Sequence, residues 1–275
     1  MKTTLKNFKL AICQIKVTGN KAANLDRAEK SVRKAYGQHL PDIIVLPEMF
    51  NCPYGYGYFK RFSETYSGVS TDMLSCLASE LGVYIIGGSI PETDKGKIFN
   101  TSYIFDKNGK LIAKHRKTHM FDIDITSGIS FQESRHISPG KDITVFDTDL
   151  CRMGVAICYD MRFPELIRKM SLDGAKLIII PAAFNMTTGP AHWHITARTR
   201  ALDNQVYFAC ASPARDTSSG YVVYGHSLIV DPWGSIISEA SHGEEIICGT
   251  FDFDELERIR EELPLLKHRR PGLYQ

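Results

Sequence analysis

Short apolar runs alternate along this chain with longer stretches in which apolar side chains recur every three or four positions. Phe8 to Ile15 reads as a strand, and Leu25, Ala28, Val32 and Ala35 follow at helical spacing before the run Asp42-Ile43-Ile44-Val45-Leu46. Leu74, Leu77 and Leu81 mark a second helix ahead of a strand at Val83-Tyr84-Ile85-Ile86-Gly87-Gly88. Lys107-Asn108-Gly109-Lys110 is a hairpin turn joining Thr101–Phe105 to Leu111–Ala113. The second half repeats the logic. A strand from Met153 to Ile157 precedes a helix from about Phe163, where Pro164 suits the first turn because its missing N–H costs nothing there. A strand at Leu177–Ile180, a helix near His192 to Asn204 and a strand at Val206–Ala211 follow. Late strands flank the turn Asp231-Pro232-Trp233-Gly234, and Asp252 caps a last helix with Glu255 at its third position. Strands that are apolar at every position are covered on both faces, as in parallel sheets of α/β proteins. An α/β fold formed by one domain over residues 1–275 is therefore expected. The stretch from Gly128 to Gly140 has no clear period, and long loops of this kind often cover sites.

Three strand ends carry reactive groups. Asp42–Leu46 stops at Pro47, and Glu48 comes next; the hairpin's second strand leads into Lys114-His115-Arg116-Lys117; the strand at Met153–Ile157 ends on Cys158. Ligands and catalytic groups gather outside the carboxyl ends of strands in open α/β sheets, so these three could converge from distant sequence positions. Taken singly each has a plainer reading: a packed cysteine, a solvated basic face, a lone carboxylate. Together they define a chemistry. A free thiol has a pKa near ~8.5 and needs a base or a neighbouring cation to act as a nucleophile. Glu48 could serve as general base, then as acid toward a leaving amine, while Lys117 and the Tyr159 backbone N–H meet the charge developing on a carbonyl oxygen. The turn after the strand resembles a nucleophile elbow with Cys in place of Ser.

Composition narrows the setting. A net charge of +2 with interspersed signs offers no basic field for nucleic acid, and no apolar stretch approaches the ~20 residues that span a membrane. The seven cysteines, at 13, 52, 76, 151, 158, 210 and 248, are odd in number and mostly embedded in apolar runs, which points to a reducing compartment. Met1 to Asn7 has no hydrophobic signal core, so a cytoplasmic location is expected.

Leu46-Pro47-Glu48-Met49-Phe50, His115-Arg116-Lys117-Thr118-His119 and Ile157-Cys158-Tyr159-Asp160-Met161-Arg162-Phe163-Pro164-Glu165 resemble, in order, the three catalytic blocks of the nitrilase superfamily of carbon-nitrogen hydrolases. The resemblance runs from about Phe8 to Tyr274 and favours the ω-amidase branch through Met120–Asp124, Gly128–Ser134, Thr188–His194 and Ala211–Asp216. It implies an α-β-β-α sandwich, usually paired into a homodimer, with Glu48, Lys117 and Cys158 as a triad and no cofactor. Glu133 corresponds to a second glutamate near the triad, able to orient Lys117 or water, or else to a surface ion pair. Tyr54, Arg162 and Phe184 correspond to residues at the substrate's far end. Arg162 could pair bidentately with the carboxylate of an acidic monoamide, or brace the elbow against Asp160 or Glu165. The implied substrates are 2-oxoglutaramate and 2-oxosuccinamate; a sister branch acting on deaminated glutathione shares several of the same segments, particularly those around Cys158 and His192.

No metal site is expected. His115 and His119 leave a strand without a third ligand, and His192, Trp193 and His194 lie in a helix where i and i+2 face apart, so capping or core hydrogen bonding is the reading. Tyr54-Gly55-Tyr56-Gly57-Tyr58 reads as an aromatic loop at a pocket rim. Two classes of function remain: a cofactor-free cysteine amidase, and a non-catalytic binding protein of the same fold. An amidase needs all three reactive groups together, and a binding protein does not.

Overall fold

The computed structural model describes residues 7–126 and 128–274; the amino-terminal stretch 1–6 lies outside them. In chain order the elements are β1 (Phe8–Gln14), α1 (Lys21–His39), β2 (Ile43–Val45), α2 (Tyr56–Phe62), α3 (Val69–Leu81), β3 (Tyr84–Ile86), β4 (Ile90–Asp94), β5 (Lys97–Phe105), β6 (Leu111–Arg116), β7 (Asp122–Asp124) and β8 (Ser130–Gln132). The second half runs β9 (Thr144–Asp147), β10 (Arg152–Val155), α4 (Pro164–Leu172), β11 (Leu177–Pro181), α5 (Gly189–Asn204), β12 (Tyr207–Ala211), β13 (Leu228–Val230), β14 (Ile236–Glu239), β15 (Glu245–Phe251), α6 (Phe253–Glu262) and α7 (Leu265–His268).

Alternation along the strands builds four layers. In one sheet β1, β2 and β3 are parallel neighbours, and in the other β10, β11 and β12 are. Leu10, Ile12, Ile43 and Val45 of the first sheet meet Met153, Val155, Leu177, Ile179 and Ala209 of the second in a core between the sheets. The intervening residues point the other way. Ala11, Cys13, Ile44 and Leu46 pack under α1 and α3 with Ala28, Val32, Leu74 and Leu77. Ile178, Ile180, Phe208 and Cys210 pack under α4 and α5 with Ile167, Met170, Trp193 and Ala197. Burial on both faces explains why these strands are apolar at consecutive positions, and each buried Ile, Leu or Val side chain contributes roughly 1.5–3 kcal/mol. The arrangement is the expected α-β-β-α sandwich.

Direction matters for the site. β5 is antiparallel to both β3 and β6, so β6 runs the same way as β2 and β3. Lys117, just past β6, and Glu48, just past β2, therefore emerge at the same end of the sheet.

Most boundaries follow the sequence pattern. The Asp252 side chain accepts from the amides of Asp254 and Glu255 at the start of α6, and such a cap is worth about 1 kcal/mol. Several expectations need correction. The aromatic-glycine segment is not loop throughout: Tyr56–Phe62 forms α2, anchored by the buried rings of Phe59 and Phe62 one turn apart. A strand at Ile90–Asp94 pairs antiparallel with β5 although Pro91 and its polar neighbours hid it. α5 begins at Gly189 rather than near His192, with Pro190 in its first turn. The stretch after Gly128 holds β8, which pairs antiparallel with β7 ahead of it, and a 3₁₀ turn at Glu133–Arg135. The capped helix is followed by the short α7.

Candidate active site

Glu48 stands in a bend held from below. Gly88 has φ +53° and packs so tightly that a Cβ there would lie 2.0 Å from the carbonyl oxygen of Pro47. Beside it, Ser89 donates its N–H to Pro47 O, and its side-chain and main-chain oxygens accept from the amides of Met49 and Phe50. Met49 itself is left-handed, at φ +52°. Only a residue lacking Cβ permits the close approach at Gly88 that clamps this bend.

Lys117 is fully buried between two carboxylates. Its Nζ donates to Glu133 Oε2 at 2.8 Å, to the Tyr54 hydroxyl at 3.1 Å and to Glu48 Oε1 at 3.4 Å. Tyr54 passes the bond on, donating to Glu133 Oε1 at 2.9 Å, and the amide of Phe121 donates to Glu133 Oε2 at 2.7 Å. Asn100, which the sequence did not single out, donates to Glu48 Oε1 at 2.8 Å from Nδ2 and accepts the Lys117 N–H on its carbonyl. Glu48, Lys117 and Glu133 are each 0 % exposed, so Glu133 is part of the buried cluster and not of a surface ion pair.

Cys158 opens a 3₁₀ turn, Cys158–Arg162, directly after β10 and Ile157, with φ +50°. A non-glycine residue in the left-handed region is uncommon, and such strain gathers where a side chain must be aimed. The turn is tied down by Asp160, whose buried carboxylate accepts from the Ile157 amide, from the amides of Thr118 and His119, from the Thr118 hydroxyl, and meets His115 Nε2 and His119 Nδ1 at 3.2 and 2.8 Å. One side chain thus locks the cysteine turn to the segment following Lys117. Burial opposes the Asp160 charge, but the histidine and amide partners overcome it and hold the carboxyl far below the usual range. The paired histidines of the sequence serve this anion.

Electrostatics set the protonation states. Burial raises the Cys158 thiol well above its ordinary value, the Glu48 charge adds to this, and Lys117 opposes it. Burial likewise raises Glu48, against the pull of Lys117 and with the push of Glu133. Burial works against the Lys117 ammonium, yet Glu133 and Glu48 overcome it and keep it charged far into the alkaline range. Two carboxyls share one ammonium, so Glu48 is poised to take up a proton. Its Oε2 has no hydrogen-bond partner of its own, while the thiol lies close enough to couple with the carboxyl. With Glu48 as the proposed general base, the expected consequence is a rate profile whose acid limb lies above the usual glutamate range and which has no alkaline limb from Lys117. Measured kcat/KM against pH checks it: activity should rise as Glu48 loses its proton and then stay level through the mildly alkaline range.

A narrow cleft lies over Glu48, walled by Tyr54, Ala183, Pro213, Tyr221 and Val223. Tyr221, which carried no sequence signal, lies tilted against Tyr54 with 4.8 Å between ring centres and donates to the Ala183 carbonyl. Phe121, Phe131 and Tyr159 extend the aromatic wall. Arg162 does not brace the elbow through Asp160 or Glu165. Its guanidinium sits 4.6 Å from the centre of the Phe184 ring and 3.2 Å from His192 Nδ1, with no carboxylate partner among the described residues, and it couples electrostatically to Cys158 and Tyr221. Phe184 is buried and meets Trp193 edge-on at 5.0 Å.

A family model for carbon-nitrogen hydrolases matches residues 9–261. The chain is 50% identical to "Omega-amidase NIT2" of Xenopus tropicalis over 270 residues, 98% of each chain, and 47% identical to "Omega-amidase NIT2" of Homo sapiens over 98% of each. It superposes on the crystal structure of Saccharomyces cerevisiae Nit3, a member of branch 10 of the nitrilase superfamily, with a TM-score of 0.91 at 43% identity, covering 98% of this chain and 99% of that one. Three ordered blocks, a four-layer sandwich and this degree of likeness over nearly the whole chain agree: the protein is a hydrolase of carbon–nitrogen bonds and belongs to the carbon-nitrogen hydrolase family of the nitrilase superfamily.

Proposed function

We propose that the chain is a single catalytic unit with ω-amidase activity, converting 2-oxoglutaramate or 2-oxosuccinamate to 2-oxoglutarate or oxaloacetate with release of ammonia through a thioester on Cys158. The observation that carries the reading is the burial of Lys117 between Glu48 and Glu133 beside the left-handed Cys158. Glu48 takes the thiol proton as Sγ adds to the amide carbon, and the resulting oxyanion is met by the Lys117 ammonium, a donor of a kind worth about 3 kcal/mol. The proton on Glu48 passes to nitrogen, the C–N bond breaks and ammonia leaves. Water then adds to the thioester with its proton going to Glu48; the C–S bond breaks, the acid departs and the thiol regains its proton. Glu133 and Tyr54 hold Lys117 in place throughout.

Arg162 gives the acidic preference. Unpaired with any described carboxylate and stacked on Phe184, its guanidinium is available for the substrate's far carboxylate, beside the Tyr159 ring. Arg162→Met should raise KM for 2-oxoglutaramate about tenfold to a hundredfold while leaving hydrolysis of a neutral amide nearly unchanged, and Arg162→Lys should rescue only in part because an ammonium cannot bind bidentately. Initial rates on the two substrates check this.

The proposal includes a homodimer in the cytoplasm. Leu172 on α4 and Ile195 on α5 are exposed apolar residues that pairing through these helices would cover. The test of the activity is ammonia release from 2-oxoglutaramate beside deaminated glutathione and simple amides, with Cys158→Ala as control. Preference for 2-oxoglutaramate supports the reading. Preference for deaminated glutathione would keep the triad and move the protein to the sister branch, and no thiol-dependent release from any amide would leave the binding-protein reading.

A further inference from the structure

His194, His226 and Glu239 come from three separate elements and meet on the surface of the second sheet. His194 lies on α5, His226 immediately precedes the Ser227–Leu228 entry to β13, and Glu239 ends β14. One carboxylate oxygen holds both rings: Glu239 Oε1 is 2.8 Å from His194 Nε2 and 3.2 Å from His226 Nδ1, and one donor atom from each of the three residues falls within 4.8 Å of the others.

From this geometry we infer a binding site for a divalent transition-metal ion, of which Zn²⁺ is the best match. Two imidazoles and one carboxylate form a donor set that zinc favours, and tetrahedral ligands at about 2.0–2.2 Å from the ion stand roughly 3.3 Å apart. The 3.2 Å nitrogen-to-oxygen distance matches that spacing, and the 2.8 Å one is about half an ångström shorter, a gap that a small side-chain rotation opens. Partial exposure of all three side chains, 31 % for His194, 24 % for His226 and 33 % for Glu239, leaves an entry path and room for water as fourth ligand.

The cluster is held in shape by contacts that do not depend on an ion. His226 is left-handed, at φ +58°, after the left-handed Gly225. Its carbonyl accepts from Trp193 Nε1 at 2.6 Å, its N–H donates to Ser241 O, and its ring stacks on Tyr224 at 4.4 Å. Arg198, one turn past His194, donates to the Gly234 carbonyl and so fixes α5 against the β13–β14 turn. Arg215 is a cationic neighbour of His226, and its guanidinium is committed to the Tyr224 carbonyl. Spacing alone showed none of this, because His192 and His194 face apart and the other two ligands come from distant segments.

The site is separate from the catalytic cluster and does not depend on the amidase reading. The test uses the full chain carrying Cys76→Ser and Cys158→Ala, so that an exposed thiol and the site thiol do not take up the ion. After equilibrium dialysis against micromolar Zn²⁺, one equivalent should be retained per chain, and the melting temperature should climb with Zn²⁺ concentration because the ion binds the folded state. His194→Ala and Glu239→Gln should each weaken retention roughly tenfold or more, Gln keeping the hydrogen-bond acceptor so that the fold is spared. Co²⁺ in place of Zn²⁺ should give the visible spectrum of a four-coordinate nitrogen and oxygen site. Retention of no equivalent, or of one that survives both substitutions, would overturn the inference and leave a hydrogen-bonded cluster only.

Discussion

Lys117→Met should abolish amide hydrolysis, with kcat down by about a thousandfold or more, and should also destabilise the fold by about 3–5 kcal/mol. The two effects have one cause. Lys117 is the ammonium hydrogen-bonded to both Glu48 and Glu133, and all three side chains are wholly buried. Removing it deletes the cation proposed to face the oxyanion and leaves two carboxyls in a low-dielectric interior without a counter-charge. Methionine restores most of the volume, so packing loss contributes little. The deficit has a defined pH dependence. Burial already places the folded-state pKa of Glu48 above its unfolded value near 4.5, and loss of Lys117 raises it further. A raised carboxyl pKa means stability that is present below the unfolded pKa and lost as pH rises through the folded one. The variant should therefore lie nearest to the wild type in acid and furthest from it at neutral pH and above. Urea unfolding at several pH values, beside kcat on 2-oxoglutaramate, measures both effects.

Gly88→Ala should reduce kcat by about a hundredfold although Gly88 touches no reacting atom, because displacement of a catalytic group by ~1 Å is enough for a loss of that size. The new Cβ would lie 2.0 Å from Pro47 O and 2.8 Å from Leu46 C and O, all backbone, so the chain entering Glu48 has to move. A left-handed alanine adds about 1–2 kcal/mol of strain. Gly82→Ala is the matched control: it is also left-handed, at φ +65°, but nothing lies within 4 Å of its Cβ. That variant should show the conformational cost alone, with kcat unchanged. Comparison of the two by thermal unfolding and steady-state rates separates displacement of Glu48 from backbone strain.

Legibility of the fold followed burial. Strands covered on both faces are apolar throughout, so β1, β2, β11 and β12 stood out, and each reactive residue that follows a buried strand was visible as the polar position where an apolar run stops. Glu48 and Cys158 are of this kind, and Lys117 follows the second strand of a turn with the Asn-Gly signature. β4 was hidden because Pro91, Glu92 and Thr93 break the apolar pattern, and Glu92 is buried only because Arg116 and Lys114 pair with it. α2 was hidden by Gly55 and Gly57, which read as breakers. Within the site, Asp160 lay inside the quoted cysteine block, but its role rests on partners 41 to 45 residues away that no local period reveals. Asn100 and Tyr221 are ordinary in type and become site residues only when β5 and the segment before β13 fold against Glu48 and Ala183. The bracing contact considered for Arg162 failed for a related reason: Asp160 is fully engaged by the histidines, Thr118 and backbone amides, and the guanidinium instead lies over Phe184.

An acyl group on Cys158 is the intermediate on which the proposed amide hydrolysis depends. Rapid acid quench of the working enzyme with 2-oxoglutaramate, followed by mass spectrometry of the peptide containing Cys158, tests it most directly. A thioester with the mass of the substrate's acyl group should appear on that peptide during turnover and be absent from Cys158→Ala, which should release no ammonia. Undiminished ammonia release by Cys158→Ala, with no acyl adduct on the wild-type peptide at any quench time, would contradict it.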